Sequence, residues 1–386
     1  MRRAGTLLGV VLLLGGTAAT PVRAQTTDVH RFLRAQDPVS MAWTPDGTRL
    51  FFDEQATGDI RVAMPDGTIL PEPFAHLDVD TGSSETGLLG IAIDPGFPAR
   101  PFIYVYFSDP ALGINRLARF RADGDVADGP PQVLLDGLVT ANRYHNGGDL
   151  VFGDDGMLYV TIGESHQRNL AQDTASIGGK VLRLLPDGSI PSDDPIPGNP
   201  LFTLGHRNSF GICVDVATGD LWETENGPTS DDEVNLLRAG GNYGWPQVMG
   251  TGGPEGTIDP VIDHVQEIAP TGCAVWRGDL YYGSYLDGAI RRLDLPPGPS
   301  PQPVAVALIG EPVYDLVVGP DDRLYVASSS GIWRMDAPPS GSVSVPPPQG
   351  VSPSTPWWGW AAVVAGAAIA VVLGWRLRRR ATRTPG

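Results

Sequence analysis

Three polar clusters sit beside strand-like segments, at positions where packing alone asks for none of them. They are Tyr144-His145-Asn146-Gly147-Gly148, Gly205-His206-Arg207-Asn208 and Glu225-Asn226-Gly227-Pro228. Turns at strand ends are where a rigid scaffold most often carries chemistry. His145 is the candidate general base, because an imidazole changes charge near neutral pH. A loop histidine bound to a turn carbonyl is the structural alternative. Arg207 offers a planar fork of donors for carboxylate or quinone oxygens, and Asn208 beside it can donate and accept. An ion pair between neighbouring elements accounts for Arg207 equally well. His206 reads as a residue that packs or orients its turn. Consecutive carbonyls in the Asn226-Gly227-Pro228 turn suit Ca²⁺, a hard ion that prefers oxygen, and Asp231-Asp232-Glu233 adds a negative field. A plain proline turn is the alternative there. Glu164, after Thr161-Ile162-Gly163, is a further strand-end carboxylate on the same side. The chain has no Gly-rich phosphate loop, no paired Cys/His zinc spacing and no Ser-centred nucleophile elbow.

The elements that must hold these clusters repeat along the chain. An apolar strand runs into an Asp/Gly turn and a second apolar strand follows. Copies begin at Met41, Leu89, Asp149, Gly211, Cys273 and Tyr314. Most are followed by a third strand, as at Ile60–Met64, Leu117–Phe120, Val181–Leu184, Ile290–Leu293 and Gly331–Met335. A period of roughly 45 to 65 residues without helical periodicity predicts an all-β six-bladed β-propeller. Closure into a ring also removes long unpaired sheet edges. A two-sheet sandwich is the other architecture considered, but its strands do not fall into equal groups. In a propeller the first strand of each copy lines the channel. His145 and the Arg207-Asn208 pair then occupy equivalent places in neighbouring blades.

The ends of the chain read differently from its body. Residues 1–24 have a basic start, a short apolar run at Leu7–Leu14 and a small-residue site at Val22-Arg23-Ala24, which predicts a signal peptide. Residues 25–337 form the propeller, and 338–356 are a Pro/Ser-rich linker. Residues 357–375 are apolar, bracketed by Trp357, Trp358, Trp360 and Trp375, and predict a membrane span. The tail 376–386 carries Arg376, Arg378, Arg379, Arg380 and Arg383, which places it in the cytoplasm and the body outside. A sorting signal that is later removed has the same composition. The formal net charge is −17 and Lys180 is the only lysine, a surface that repels nucleic acid and anionic lipid. Cys213 and Cys273 lie in apolar strand-like surroundings and read as buried thiols, with at most one disulfide between them.

Several ordered stretches resemble a known family. They are Gly87–Phe97, His145 through Glu164, Gly179–Arg183 with Pro186–Pro191, Gly205–Asn208, Asn226–Pro228, Asp232–Asn235 and Gly241–Pro246. Together they resemble the soluble glucose/sorbosone dehydrogenases, or aldose sugar dehydrogenases, over residues 35 to 337. These are six-bladed propellers that use pyrroloquinoline quinone (PQQ) and Ca²⁺. The resemblance implies an oxidoreductase that converts an aldose to a lactone and passes a hydride to the quinone. It implies His145 as the catalytic base and Arg207, Asn208, Asn226, Glu85 and Glu164 as cofactor- or substrate-facing groups. The carbonyls of Gly227 and Pro228 would hold Ca²⁺. An electron acceptor must reoxidise the cofactor. The chain departs from the family where basic residues usually bind the cofactor's carboxylates: Leu286, Pro312 and Tyr314 stand there, and Asp149 stands where a small or basic residue is common. Two other functions are compatible with this scaffold: a non-catalytic propeller that binds a glycan or a protein, and a Ca²⁺-dependent lactonase-like hydrolase using Glu164, Asp149 and Glu225.

Overall fold

The computed structural model describes residues 29–139, 143–338 and 341–345. The expected signal peptide, apolar span and basic tail lie outside these residues, as does most of the linker. Among the described residues no helix is long and apolar enough to cross a membrane.

The fold begins in turn chemistry. Asp46 Oδ1 accepts from Thr48 N–H at 3.0 Å and from the Thr44 hydroxyl at 2.7 Å, while Gly47 takes φ 70°. The carboxylate replaces a backbone acceptor and the glycine adopts the left-handed conformation without a Cβ clash. This geometry connects the first strand of blade one, Met41–Trp43, to its second, Leu50–Glu54. The third and fourth strands are Asp59–Ala63 and Ala75–His76. Blade two comprises Leu88–Ile93, Phe102–Asp109, Ile114–Asp123 and Gln132–Val139. Blade three comprises Gly147–Phe152, Leu158–Ile162, Lys180–Leu184 and Leu201–Leu204. Blade four comprises Ser209–Val214, Leu221–Glu225, Asp232–Leu236 and Ile262–His264. Blade five comprises Pro270–Trp276, Asp279–Ser284, Ala289–Asp294 and Val304–Leu308.

Blade six contributes Val313–Val318, Leu324–Ser328 and Gly331–Met335, and its outermost strand is Val29–Arg34 from the other end of the chain. That pairing, from Val29↔Met335 to Arg34↔Gly331, closes the ring with backbone hydrogen bonds. Each first strand packs against the first strands of the blades on either side, so the protein is a six-bladed β-propeller.

There is no single central core. Hydrophobic side chains gather into six layers, one between each pair of adjacent blades. Phe51 and Ile60 meet Ile91 and Val105 between blades one and two. Leu33 and Tyr325 meet Met41 and Leu50 between blades six and one. Second strands such as Leu158–Ile162 and Leu324–Ser328 are therefore buried at every residue, because a neighbour covers each face. Each fully buried Leu, Ile or Phe contributes roughly 1.5–3 kcal/mol.

Aspartate side chains also bridge blades. Asp149 Oδ2 accepts from Ile212 N at 2.8 Å, Asp315 Oδ2 from Met41 N at 3.0 Å, and Asp232 Oδ2 from Ala269 N at 2.8 Å.

Three features differ from the sequence reading. Cys213 and Cys273 are not separate thiols: they form a disulfide across the first strands of blades four and five, with Cα atoms 5.6 Å apart. Propeller closure brings these two strands side by side, which no local pattern shows. The fourth copy also has a third strand, Asp232–Leu236, which the repeat pattern did not show. Within the linker, Val343 N–H donates to Ala305 O at 2.8 Å, so this segment lies along the outer edge of blade five.

Candidate functional site

One end of the propeller channel opens into a cavity of about 390 Å³ that all six blades line. Asn146, Gly147, Asn208, Asn226 and Glu85 lie on its wall, together with Leu89, Phe210, Thr271 and Tyr314. A second cavity on the same axis lies further along the first strands, is largely apolar and holds Asp149 and Asp315.

His145 stands in the left-handed region at φ 56°, a conformation that histidine adopts more readily than most side chains. Two contacts hold it there. Its N–H donates to Glu85 Oε2 at 2.7 Å, and its carbonyl accepts from Ser165 N–H at 3.1 Å. Gly163 permits this approach, because a Cβ at that position would lie 2.1 Å from His145 O. Nδ1 of His145 is 2.7 Å from Glu164 Oε1, within a buried pair. The carboxylate fixes Nδ1 as the protonated nitrogen and leaves Nε2 as the basic one. Glu164 Oε2 is buried without a partner among the described residues. His166 stacks on His145 with ring centroids 3.9 Å apart and planes 22° apart, and Ser165 and His166 also have positive φ. Burial, helped by the neighbouring His145, lowers the pKa of His166. Three left-handed residues around one imidazole are a concentration of backbone strain of the kind found at functional sites.

Arg207 lies next to this group, since Glu164 N–H donates to Arg207 O at 2.9 Å. Its Nη1 donates to the carbonyls of Asn226 at 2.8 Å and Gly227 at 2.9 Å. Burial pulls the guanidinium below the usual arginine range, against the opposing charges of Glu164, Glu225 and Glu85. The Trp245 ring lies 5.6 Å from it. Asn208 O accepts from Asn226 N–H at 3.1 Å, and Asn226 Nδ2 donates to Pro270 O at 2.8 Å, which ties blade four to blade five.

Beneath Arg207 lies a fully buried cluster. His206 Nδ1 is 2.9 Å from Glu225 Oε2 and 3.3 Å from Glu223 Oε1, and its ring stacks on Tyr243. Burial alone lowers the His206 pKa, but Glu223 and Glu225 overcome it and raise it to about 10. Glu225 also accepts from Arg207 N–H. His206 therefore does more than orient a turn: it pairs with two buried carboxylates, one of which, Glu225, also holds the Arg207 backbone.

The structure thus gathers His145, Glu85, Glu164, Arg207, Asn208 and Asn226 at one end of the channel. Gly227 belongs to the same group through Arg207, but Pro228 is exposed and neither lines the cavity. The three carboxylates considered for a hydrolase do not converge. Asp149 lies in the apolar cavity, Glu164 beside His145 and Glu225 beneath Arg207. Arg291 and Arg292 are engaged by Asp287 and Asp294 and stand away from the cavity. Sequence reasoning missed His166. Its only signal was proximity to Glu164 in the chain.

Two groups implied by the resemblance can be tested against these atoms. The carbonyls of Asn226 and Gly227 converge on one cationic nitrogen, and oxygen donors of this kind suit Ca²⁺. The cavity has room for a planar cofactor, with Asn146, Asn208 and Asn226 on its wall and the buried His145 next to Asn146 in the chain, so a quinone fits beside these groups. The cavity wall has no cation among the described residues.

Comparison with known proteins agrees with this geometry. The model of the Glucose / Sorbosone dehydrogenase family matches residues 35–334. Quinoprotein glucose dehydrogenase B of Acinetobacter calcoaceticus is 35% identical over 246 residues, 55% of this chain and 51% of that protein. Aldose sugar dehydrogenase YliI of Escherichia coli is 28% identical over 76% of this chain and 88% of its own length. The PQQ-bound structure of an aldose sugar dehydrogenase from Streptomyces coelicolor superposes with a TM-score of 0.71 at 29% identity, covering 79% of this chain and 97% of that one. The family model covers more than half of this six-bladed propeller, so the chain belongs to the glucose/sorbosone dehydrogenase family.

Proposed function

We propose that the protein is a quinoprotein aldose dehydrogenase that oxidises the anomeric carbon of a sugar to a lactone, with PQQ and Ca²⁺ as cofactors. The observation that carries this reading is the His145–Glu164 pair at the edge of a cavity walled by Asn208 and Asn226. Nδ1–H of His145 is committed to Glu164, so Nε2 accepts the proton of the anomeric hydroxyl. Glu164 stabilises the resulting imidazolium. Asn208, on the cavity wall, and the neighbouring Arg207 would supply donors to the quinone oxygens. The Gly227 and Pro228 carbonyls are the oxygens that would hold Ca²⁺. When bound, the quinone supplies the hydride acceptor and the metal polarises its carbonyl. An external electron acceptor completes the cycle.

We extend the proposal to location: residues 1–24 direct export and residues 357–375 tether the propeller outside the membrane. Fractionation of the full chain against a chain ending at residue 337 tests this, with release into the soluble fraction expected only for the shorter chain.

For the activity, the full chain is mixed with PQQ and CaCl₂ and assayed for aldose-dependent dye reduction. Turnover that His145→Gln abolishes while cofactor binding persists supports the proposal. Absence of both binding and turnover removes it. The cation-free wall favours a second reading, a propeller that binds a glycan without turnover. Sugar binding without dye reduction is its signature.

A further inference from the structure

PQQ is a trianion near neutral pH, and the cavity that would receive it has no positive side chain on its wall among the described residues. Tyr314 lines the wall at one of the positions where the family resemblance implies a base, while Leu286 and Pro312 do not reach it. Two carboxylates, Asp37 and Glu85, do line it, and the Tyr314 hydroxyl faces Asp37 Oδ1 at 3.4 Å. The nearest cations are already engaged. Arg207 Nη1 is bonded to two carbonyls, and Arg143 Nε lies 3.0 Å from Asp80 Oδ2 at the rim. Residues 140–142, which precede Arg143 in the chain, are Thr, Ala and Asn and bring no charge. What the wall offers instead are hydroxyls, among them Ser83, Thr86, Thr271 and Tyr285. Neutral donors hold a carboxylate about half as strongly as charged ones, and the two wall carboxylates oppose it.

From this we infer that the site prefers an ortho-quinone ring whose carboxylates are masked or absent, with its substituents received by hydroxyl donors. The inference rests on the quinoprotein reading and narrows its cofactor. The sign of the salt effect follows from the charges. A cationic clamp loosens as salt screens attraction, whereas a wall bearing Asp37 and Glu85 binds an anion more tightly as salt screens repulsion.

The test uses the full chain and follows quenching of tryptophan fluorescence, which needs no turnover. The salt series is run in EDTA, because bound Ca²⁺ would add its own attraction, and a second titration is run in saturating CaCl₂. PQQ and its trimethyl ester are titrated at low and high NaCl. The ester is expected to bind about tenfold or more tighter, a difference of about 1.4 kcal/mol, and the Kd for PQQ is expected to fall as NaCl rises. Tyr314→Arg is expected to tighten PQQ by about tenfold and leave the ester unchanged. If that variant does not fold, the salt series on the unaltered chain decides. An ester weaker than PQQ, or PQQ loosened by NaCl, overturns the inference and leaves the quinoprotein reading standing. If neither compound binds, both fall together.

Discussion

Glu164 holds His145 through its side chain, Oε1 to Nδ1 at 2.7 Å, and through the next peptide, whose Ser165 N–H donates to His145 O at 3.1 Å. The imidazole and the carboxylate are therefore fixed relative to one another by two contacts. Glu164→Gln keeps the size of the side chain but removes the charge that stabilises an imidazolium. We expect kcat to fall about 100-fold with little change in KM, because the lost interaction strengthens only as His145 takes a proton. Steady-state kinetics check this, and a loss confined to KM contradicts it.

His166 covers one face of the His145 ring and is itself exposed on the far side. Burial lowers its pKa and so disfavours the charged form, which leaves stacking as its contact with His145. His166→Phe should retain activity, whereas His166→Ala should lose roughly five-fold, in line with about 1 kcal/mol for an aromatic pair. Equal activity in the two variants removes the stacking role.

Lys180 is fully buried and Nζ donates to the carbonyls of Leu170, Ala171 and Gly178 at 2.6, 3.0 and 2.6 Å. It thereby anchors the short helical turn Arg168–Gln172, which follows Glu164 and His166 and braces Trp245 through Gln172. Lys180→Met removes three hydrogen bonds, although Leu170 O still accepts from Asp173 N–H and Ala171 O from Gly205 N–H, and should cost about 3 kcal/mol. Thermal melting measures it, and an unchanged Tm contradicts the anchoring role.

Burial raises the pKa of Asp149 to about 7, against the bonds it accepts from Ile212 and Leu150. A carboxyl with a folded pKa above its unfolded value binds its proton more tightly in the folded state. Its contribution is then greatest below about pH 4 and declines as pH rises to about 7. A tenfold difference in proton affinity between the folded and unfolded chain is worth about 1.4 kcal/mol. Asp149→Asn is less stable at acid pH, because the amide presents a donor to a backbone N–H. Its stability should nevertheless depend less on pH, so the gap to the unaltered chain narrows between pH 4 and pH 7. Melting curves across that range check the slope, and a gap that widens refutes it.

Much of the fold was legible because propeller blades are local. Strand, Asp/Gly turn and strand repeat within a few residues of one another, and Asp46 with Gly47 shows why that turn writes itself into the sequence. The third strand of blade four was missed because Asp232 and Glu233 look like loop residues. They are buried only because Asp232 accepts from Ile268 and Ala269 of the next blade and Glu233 from Gly250.

Six repeated strand units, the residue types at their ends and the resemblance that groups His145, Arg207 and Asn208 could all be read along the chain. These depend on periodicity and turn chemistry, which act over short stretches. Four other relationships came from the folded molecule alone: Val29–Arg34 closes the ring, Cys213 pairs with Cys273, His166 stacks on His145, and Arg207 takes the Gly227 carbonyl. Each of these joins atoms that closure of the ring or folding of a loop brings together, so no spacing along the chain could specify them.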